Sequence, residues 1–432
     1  MRRFLILCAD ILALSGALAL TIWARYPDTF EAQFLLHGVP FLFIGLTWVI
    51  GLYIANLYDL TAQNTSARIA SGVIQGAVLA SAASVALFYL FPFFDITPKT
   101  NLFLFITIAT CLLITVRMMV IRASAHIALR TLFIGTDVTT GEVIAALVAN
   151  PYLGYTPVRL PDSVNILPEI TEGAYDIIVV GPQAYTTHRV RDIFYACMGS
   201  NVRFMRLSDF AEAALGKVVL GAVNSEWVTS NIPTTSQRGY AVAKRAVDIA
   251  CAITLGIPTL LALPFITAVI QLSSPGPILY RQVRVGKGLK PFTLLKFRSM
   301  IANAEADTGA VWAQKKDPRV TRFGRFIRKT RIDELPQLWN VLKGELSFVG
   351  PRAERPEFHG TLTDAIPFYN ERYLVTPGLT GLAQILYDYG ASVRDAAEKL
   401  QYDLYYIKHR SLVLDVSILL RTIALVLFGK GR

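Results

Sequence analysis

Four long apolar runs fill the first third of the chain and restrict its fold more than any other feature. Residues 4–24, 33–57, 69–94 and 101–116 are uncharged or nearly so. Each comes near the roughly 20 residues a helix needs to cross a bilayer. Hydrophobic residues make up 53% of the chain and charged ones 17%, which argues against an ordinary soluble protein. Arg2 and Arg3 precede the first run, Arg68 lies in the second connection, and Arg117, Arg122 and Arg130 follow the fourth. The other connections hold Asp28, Glu31 and Asp95. By the positive-inside rule the N-terminus and the segment after the fourth helix face the cytoplasm. The first run leads straight into further spans and does not read as a cleaved signal peptide. Asp10 lies near the cytoplasmic end of its run and reads as interfacial.

From Arg130 the pattern changes. Residues 131–135 and 175–181 are short apolar strands, 142–149 is helical, and 202–205 fits a third strand. That alternation implies a small parallel sheet with helices on it. The turn at 135–141 stands where a dinucleotide fingerprint would stand but lacks G-x-G-x-x-G, so an accessory or assembly role is expected. Residues 224–239 are polar and turn-rich and read as a linker.

A fifth apolar run, 249–272, is flanked by cations on both sides: Lys244 and Arg245 before, then Arg281, Arg284, Lys287 and Lys290 after. That fits poorly with a simple crossing. Pro258 and Pro264 break its middle. A hairpin over 244–273 that dips into one leaflet and returns satisfies both facts. Two strands joined by a glycine-lysine-glycine turn follow, with Lys296 and Arg298 on one strand face. Residues 395–408 have helical spacing with Leu400, Leu404 and Ile407 on one side. Residues 411–428, interrupted by Asp415 and Arg421, suit a helix lying in the interface. Tyr387, Tyr389, Tyr402, Tyr405 and Tyr406 are expected to pack this part or line the membrane belt, with Gln384 or Tyr387 a minor option for binding sugar.

The stretch 322–352 reads RFGRFIRKTRIDELPQLWNVLKGELSFVGPR. Adjacent carboxylates, Asp333 and Glu334, follow arginines at 322, 325, 328 and 331. Pro336 fits the first turn of a helix and so sets the acids near a helix N-terminus, which favours anions. Nearby arginines are expected to keep both acids ionised. Thr330 and Asp333 also fit a capping box. The pattern suits a phosphate-handling site, one carboxylate free to attack and one to hold a metal. The net charge of +11 agrees with phosphate ligands or an anionic membrane face, while no base-reading module for nucleic acid is visible. The four cysteines and five histidines are scattered, so neither a disulfide framework nor a zinc site is expected.

KRAVDIACAI, SSPGPILYRQVRVGKG, LLKFRSM, RKTRIDELPQLWNVLKGELSFVGPR and TPGLTGLAQI, in this order, resemble the bacterial sugar transferase family, the polyprenyl-phosphate phosphoglycosyl transferases that start exopolysaccharide, capsule or O-antigen assembly. The N-terminal helices resemble the large-subtype architecture. The resemblance implies a membrane α-helical bundle (1–129), an α/β Rossmann-like accessory domain with linker (130–238) and an α/β-mixed monotopic catalytic domain with a re-entrant membrane helix (239–432). It implies that Asp333 is the nucleophile and Glu334 the magnesium-binding partner. Lys296, Arg298, Arg328 and Arg352 are expected at the phosphates and Pro258 at the hairpin break. Where the family usually carries VGPRPE, this chain has Ala353. The implied reaction moves hexose-1-phosphate from a UDP-sugar, UDP-glucose or UDP-galactose, to undecaprenyl phosphate. It releases UMP through an aspartyl-phosphosugar on the cytoplasmic face of the bacterial inner membrane, with Mg2+ as cofactor and membrane lipids as surroundings. A homodimer is left open. The alternatives are a glycosyltransferase releasing UDP and a non-catalytic membrane scaffold or sensor.

Overall fold

Apolar runs that cannot hydrogen-bond to lipid must satisfy their backbone internally, and here they do so as helices. A computed structural model describes residues 2–58, 66–90, 99–125, 128–159, 175–184, 188–198, 201–232, 238–301, 319–387, 390 and 392–428. Asp95, Tyr389 and the connection 59–65 lie outside these residues, as do the side chains of Arg2, Arg3, Arg68 and Arg122. The chain forms two compact units, Met1–Leu215 and Gly216–Arg432.

The first unit opens with α1 (Arg2–Arg25), α2 (Phe30–Ile54), α3 (Ser66–Leu90) and α4 (Lys99–Ala125). All four are long and apolar enough to cross a membrane. Helix α1 packs on α4 and α2 on α3. Trp48, Phe105, Ile44 and Leu113 are fully buried between them, while Leu12, Leu35 and Leu42 point outward. A helix apolar on all sides suits a lipid surround. Helices α2 and α3 meet through glycine: a Cβ on Gly51 would lie 2.7 Å from the Gly76 carbonyl oxygen.

Asp10 is not a free acid at a helix end. It is fully buried, and the Arg117 guanidinium grips it through Nε to Oδ1 at 2.9 Å and Nη2 to Oδ2 at 2.5 Å. Arg117 is therefore no flanking cation either. It lies inside α4, where its Nη1 donates to the Leu57 carbonyl at 2.7 Å. The packing of α1 on α4 lets each charge satisfy the other, which flank-counting along the chain cannot register. At the opposite ends of the same helices, Arg25 donates to Asn101, and Asn101 donates to His37 Nε2.

The rest of this unit is an α/β layer: β1 (Leu129–Ile134), α5 (Val138–Val148), β2 (Tyr155–Arg159), β3 (Ile177–Val180), α6 (His188–Cys197), β4 (Arg203–Arg206) and α7 (Leu207–Leu215). The four strands are parallel in the order β2-β1-β3-β4. Strand β3 is buried on both faces, as a central parallel strand should be. Strand β2 escaped the sequence reading because Pro157 interrupts its pattern, and an edge position tolerates that proline. The start of α5 is already capped by Asp137, whose carboxylate accepts from Thr140 N and Thr140 Oγ1, both at 2.8 Å. A Cβ on Gly181 would lie 2.6 Å from that carboxylate. The place a phosphate would take thus holds a negative charge.

The second unit begins at Gly216, ahead of the expected linker, and takes the linker in. Asn224 caps α8 (Ser225–Asn231), and Trp227 is buried in a core that includes Val218, Leu400 and Leu404. Val228 and Ile232 pack there as well, so residues 224–232 are anchored to the core. Then comes α9 (Arg238–Ser273), a fifth helix apolar and long enough to span, about 54 Å at 1.5 Å per residue. Pro258 and Pro264 lie inside it rather than ending it. Its first part is tied down by Lys244 to Asp415 at 2.9 Å, by Arg245 to the Val341 and Leu342 carbonyls, and by Asp248 accepting from Phe348 N. Its last part packs Ile266 and Ile270 against Phe297 and Ile327. Between them Leu260 and Leu261 are 68% and 80% exposed, a surface that water would not favour.

The remaining elements are β5 (Leu279–Val285), β6 (Pro291–Phe297), α10 (Arg322–Lys329), α11 (Gln337–Lys343), β7 (Ser347–Val349), α12 (Pro356–Ala365), β8 (Gly378–Thr380), α13 (Leu382–Leu386), α14 (Val393–His409) and α15 (Leu412–Phe428). Helix α14 buries Leu400, Leu404 and Ile407 as its spacing predicts, and Ser392 with Asp395 closes a capping box at its start. Tyr406 packs in the core. In α15 the interrupting Asp415 is buried, accepting from Tyr240, Lys244 and Tyr406, while Val413 and Leu427 stay exposed.

Removing one member of a buried ion pair strands the other. Asp10→Leu should therefore cost about 3–5 kcal/mol, read by thermal unfolding in detergent, and the double variant Asp10→Leu/Arg117→Leu should recover most of it.

Candidate active site

Strands β5 and β6 form an antiparallel hairpin, with Tyr280 opposite Lys296 and Val285 opposite Pro291. Its turn carries Gly288 at φ 63° and leaves Lys296 near the far end of β6. The next described segment is clamped onto that end. Thr321 N donates to the Ser299 carbonyl at 3.1 Å, and Thr321 Oγ1 caps α10 by accepting from Gly324 N. Only glycine fits at 324, since a Cβ there would lie 1.9 Å from the Ser299 oxygen. Ile327 is fully buried and faces the hairpin.

Helix α10 ends at Thr330, whose hydroxyl bonds back to the Phe326 carbonyl, so the capping box does not form. Arg331 then takes a left-handed conformation, φ 59° and ψ 14°. For a non-glycine residue this costs about 1–2 kcal/mol. It turns the chain into a short 3-10 turn, Ile332–Glu334, that presents both acids before Pro336 caps α11.

The two carboxylates differ sharply. Glu334 Oε1 receives Lys296 Nζ at 3.0 Å and lies 3.6 Å from Arg331 Nη1. Burial opposes its charge, but Lys296, then Arg352 and Arg331, outweigh it and hold Glu334 at about 2. Asp333 is 5% exposed, and its Oδ1 is buried with no hydrogen-bond partner among the described residues. Burial first, and Glu334 second, push its carboxyl above the ordinary value. Lys296, Arg328 and Arg331 pull the other way without offsetting this. The arginines therefore do not lower both acids as expected: the cations are committed to Glu334, and Asp333 is left desolvated beside a like charge. Burial also lowers the Lys296 ammonium, against the pull of Glu334.

Lys296, Arg328, Arg331 and Arg352 thus converge on the dyad. Arg298 spends its guanidinium elsewhere, donating to the Ser274 and Pro275 carbonyls just past the end of α9. Pro258 lies in the exposed middle of α9.

Some supports escaped the sequence reading. Asn340 is buried, accepts from Leu295 N at 3.2 Å and donates to the Thr293 carbonyl at 2.8 Å, so it holds β6 beside Lys296. An asparagine within LWNVL was the available signal. The loop 351–355 is held by its carbonyls. Pro351 accepts from Gly378 N at 2.9 Å, Arg352 from Arg372 Nη2 at 3.1 Å, Ala353 from Arg284 Nη1 at 2.9 Å, and Glu354 from Val285 N at 2.9 Å. Arg372 is itself buried, 3.0 Å from Asp403, and donates to the Tyr369 hydroxyl. Burial pushes Asp403 up to about 6 despite Arg372. Burial also lowers Arg284 to about 10, with Arg352 adding to the effect.

Residues 239–429 match the family model described as bacterial sugar transferase. A protein of Aeromonas hydrophila, named UDP-N-acetylgalactosamine-undecaprenyl-phosphate N-acetylgalactosaminephosphotransferase, is 43% identical over 54% of this chain, which spans about half (55%) of that protein. The exopolysaccharide production protein PSS of Rhizobium leguminosarum bv. phaseoli is 40% identical over 44% of this chain and 98% of its own length. A UDP-glucose:undecaprenyl-phosphate glucose-1-phosphate transferase of Caulobacter vibrioides is 42% identical over 42% of this chain and 68% of its own. With residues 239–429 fitting the family model and 98% of the Rhizobium protein matched, the chain belongs to the bacterial sugar transferase family.

Proposed function

We propose that the protein transfers hexose-1-phosphate from a UDP-sugar to undecaprenyl phosphate, with Asp333 as nucleophile, and so starts an exopolysaccharide, capsule or O-antigen. The observation that carries this reading is the unlike pair of acids. Asp333 keeps an oxygen free of hydrogen bonds, while the charge of Glu334 is held by Lys296, Arg331 and Arg352. A desolvated carboxylate without donors is the better nucleophile, and the cations beside it offset the charge of an incoming diphosphate.

In the first step an Asp333 oxygen attacks the sugar-linked phosphorus. The bond from that phosphorus to the bridging oxygen breaks, and UMP departs with the oxygen. A sugar-phosphoryl-aspartate remains. In the second step an oxygen of undecaprenyl phosphate attacks the same phosphorus and the Asp333 carboxylate is released. The product is a sugar joined through a diphosphate to the lipid. Lys296 and Arg328, whose charges act on Asp333, would neutralise the transferring group, and Arg352 would meet the donor diphosphate. The donor is a UDP-linked hexose, glucose, galactose or an N-acetylated counterpart, in keeping with the two sugars named among the relatives.

Magnesium fits this donor set. The chain offers hard carboxylate oxygens and, among the described residues, no cluster of three or more metal-ligating side chains. Mg2+ commonly takes one or two carboxylates and fills its shell with phosphates and water. Glu334 would hold it, and the ion would neutralise diphosphate charge.

Helix α9 supports a membrane setting for this unit. Both of its parts are anchored in one compact unit, and the exposed apolar middle contains Pro258. We read it as a re-entrant segment that bends at Pro258 and leaves the dyad at the cytoplasmic surface of the bacterial inner membrane.

Incubating the protein with Mg2+ and radiolabelled UDP-sugars in the absence of lipid should label Asp333 and release UMP. Release of UDP instead would overturn the reading. Asp333→Asn should abolish labelling and lower turnover by about three orders of magnitude or more. Because a protonated carboxyl cannot attack, labelling should fall on the acid side with a midpoint above the ordinary aspartate value of 3.8. Arg372→Ala should cost about 3–5 kcal/mol in thermal unfolding, since it strands buried Asp403, and Arg372→Lys should restore little.

A further inference from the structure

The second unit contains a groove of about 670 Å³ that the chemistry at the dyad does not use. Leu263 and Thr267 of α9 form one wall; Ile278, Leu279 and Tyr280 at the start of β5, with Phe297 of β6, form the other. The lining is mostly apolar, as sites for apolar ligands are. Arg281 lies at the groove, is exposed, and has no carboxylate within ion-pair distance among the described residues.

Two observations say what should occupy it. Along α9 Leu260 stands three residues before Leu263 and seven before Thr267, on the same helix face as these wall residues, and is 68% exposed, so the groove continues an apolar surface suited to lipid. At the other end Tyr280 is the register partner of Lys296. Directly opposed residues in an antiparallel pair share a face with Cβ atoms about 5 Å apart. The groove therefore runs from the membrane helix to the strand position beside the cation that holds Glu334. We propose that it receives the first isoprenoid units of the lipid phosphate acceptor, with Arg281 drawing the phosphate to the groove. This rests on the acceptor named in the reading above and adds where its tail lies.

The test uses the full chain in phosphatidylcholine nanodiscs and a farnesyl phosphate carrying a diazirine in its chain. After irradiation, adducts should map to Leu263, Thr267, Ile278 or Leu279. Undecaprenyl phosphate should compete at a concentration about tenfold below that of phosphatidic acid, equivalent to roughly 1.4 kcal/mol of preference. Adducts elsewhere, or equal competition by phosphatidic acid, overturn the proposal, the latter by making the groove a general lipid site. Thr267→Trp, which fills the groove, and Arg281→Gln, which leaves its shape, should each raise KM for undecaprenyl phosphate by about tenfold. An unchanged KM in both overturns the proposal. UMP release by the native protein without lipid is scored separately. If it persists while the adducts lie elsewhere, the groove fails alone; if it is absent with every donor, the groove and the underlying reading fail together.

Discussion

The capture of Glu334 by Lys296 is the contact around which the acidic pair of the second unit is arranged. It joins the β5/β6 hairpin to the turn after α10 at 3.0 Å, and it settles which acid keeps its counter-ions. Much of the surrounding structure serves to hold those two side chains at that distance. Asn340 fixes β6 from the α11 side, Gly324 lets α10 press onto Ser299, and the left-handed Arg331 turns the chain between them. The left-handed backbone at Arg331 sits between α10, whose Ile327 is fully buried, and the turn that carries buried Asp333.

Both units solve the problem of buried charge with the same device. Arg117 gives two donors to Asp10 and a third to the Leu57 carbonyl. Arg372 pairs with Asp403 and also donates to the Arg352 carbonyl. A guanidinium offers five donors in a rigid fork, so it can neutralise an acid and pin a backbone turn at once, which a lysine cannot. In the bundle this joins the ends of three segments; in the second unit it sets the loop that carries Arg352.

Local signals made a good part of this legible from the residues. The four N-terminal helices follow from length and apolarity, α14 from its spacing, and the β5/β6 hairpin from alternation with glycine at the turn. The dyad stood out because two acids follow a run of arginines. Long-range pairing was hidden. Nothing near Asp10 announces a partner in α4, and nothing near Asp403 announces Arg372. The direction of the Asp333 shift was hidden for the same reason. Counting nearby arginines cannot say which acid they touch, and desolvation depends on segments far apart in the chain. Strand β2 and helix α8 were missed because single residues, Pro157 and Trp227, carry weight against the composition around them.

The loop 351–355 is gripped through four successive peptide oxygens by donors that lie outside it. Much of its shape is thus held from outside, with the Glu354 carboxylate adding one bond from Arg355 N. A ring at position 353 is dispensable, because the Ala353 carbonyl is already fastened by Arg284. Side chains along this rim can then be exchanged while the frame that carries them stays the same.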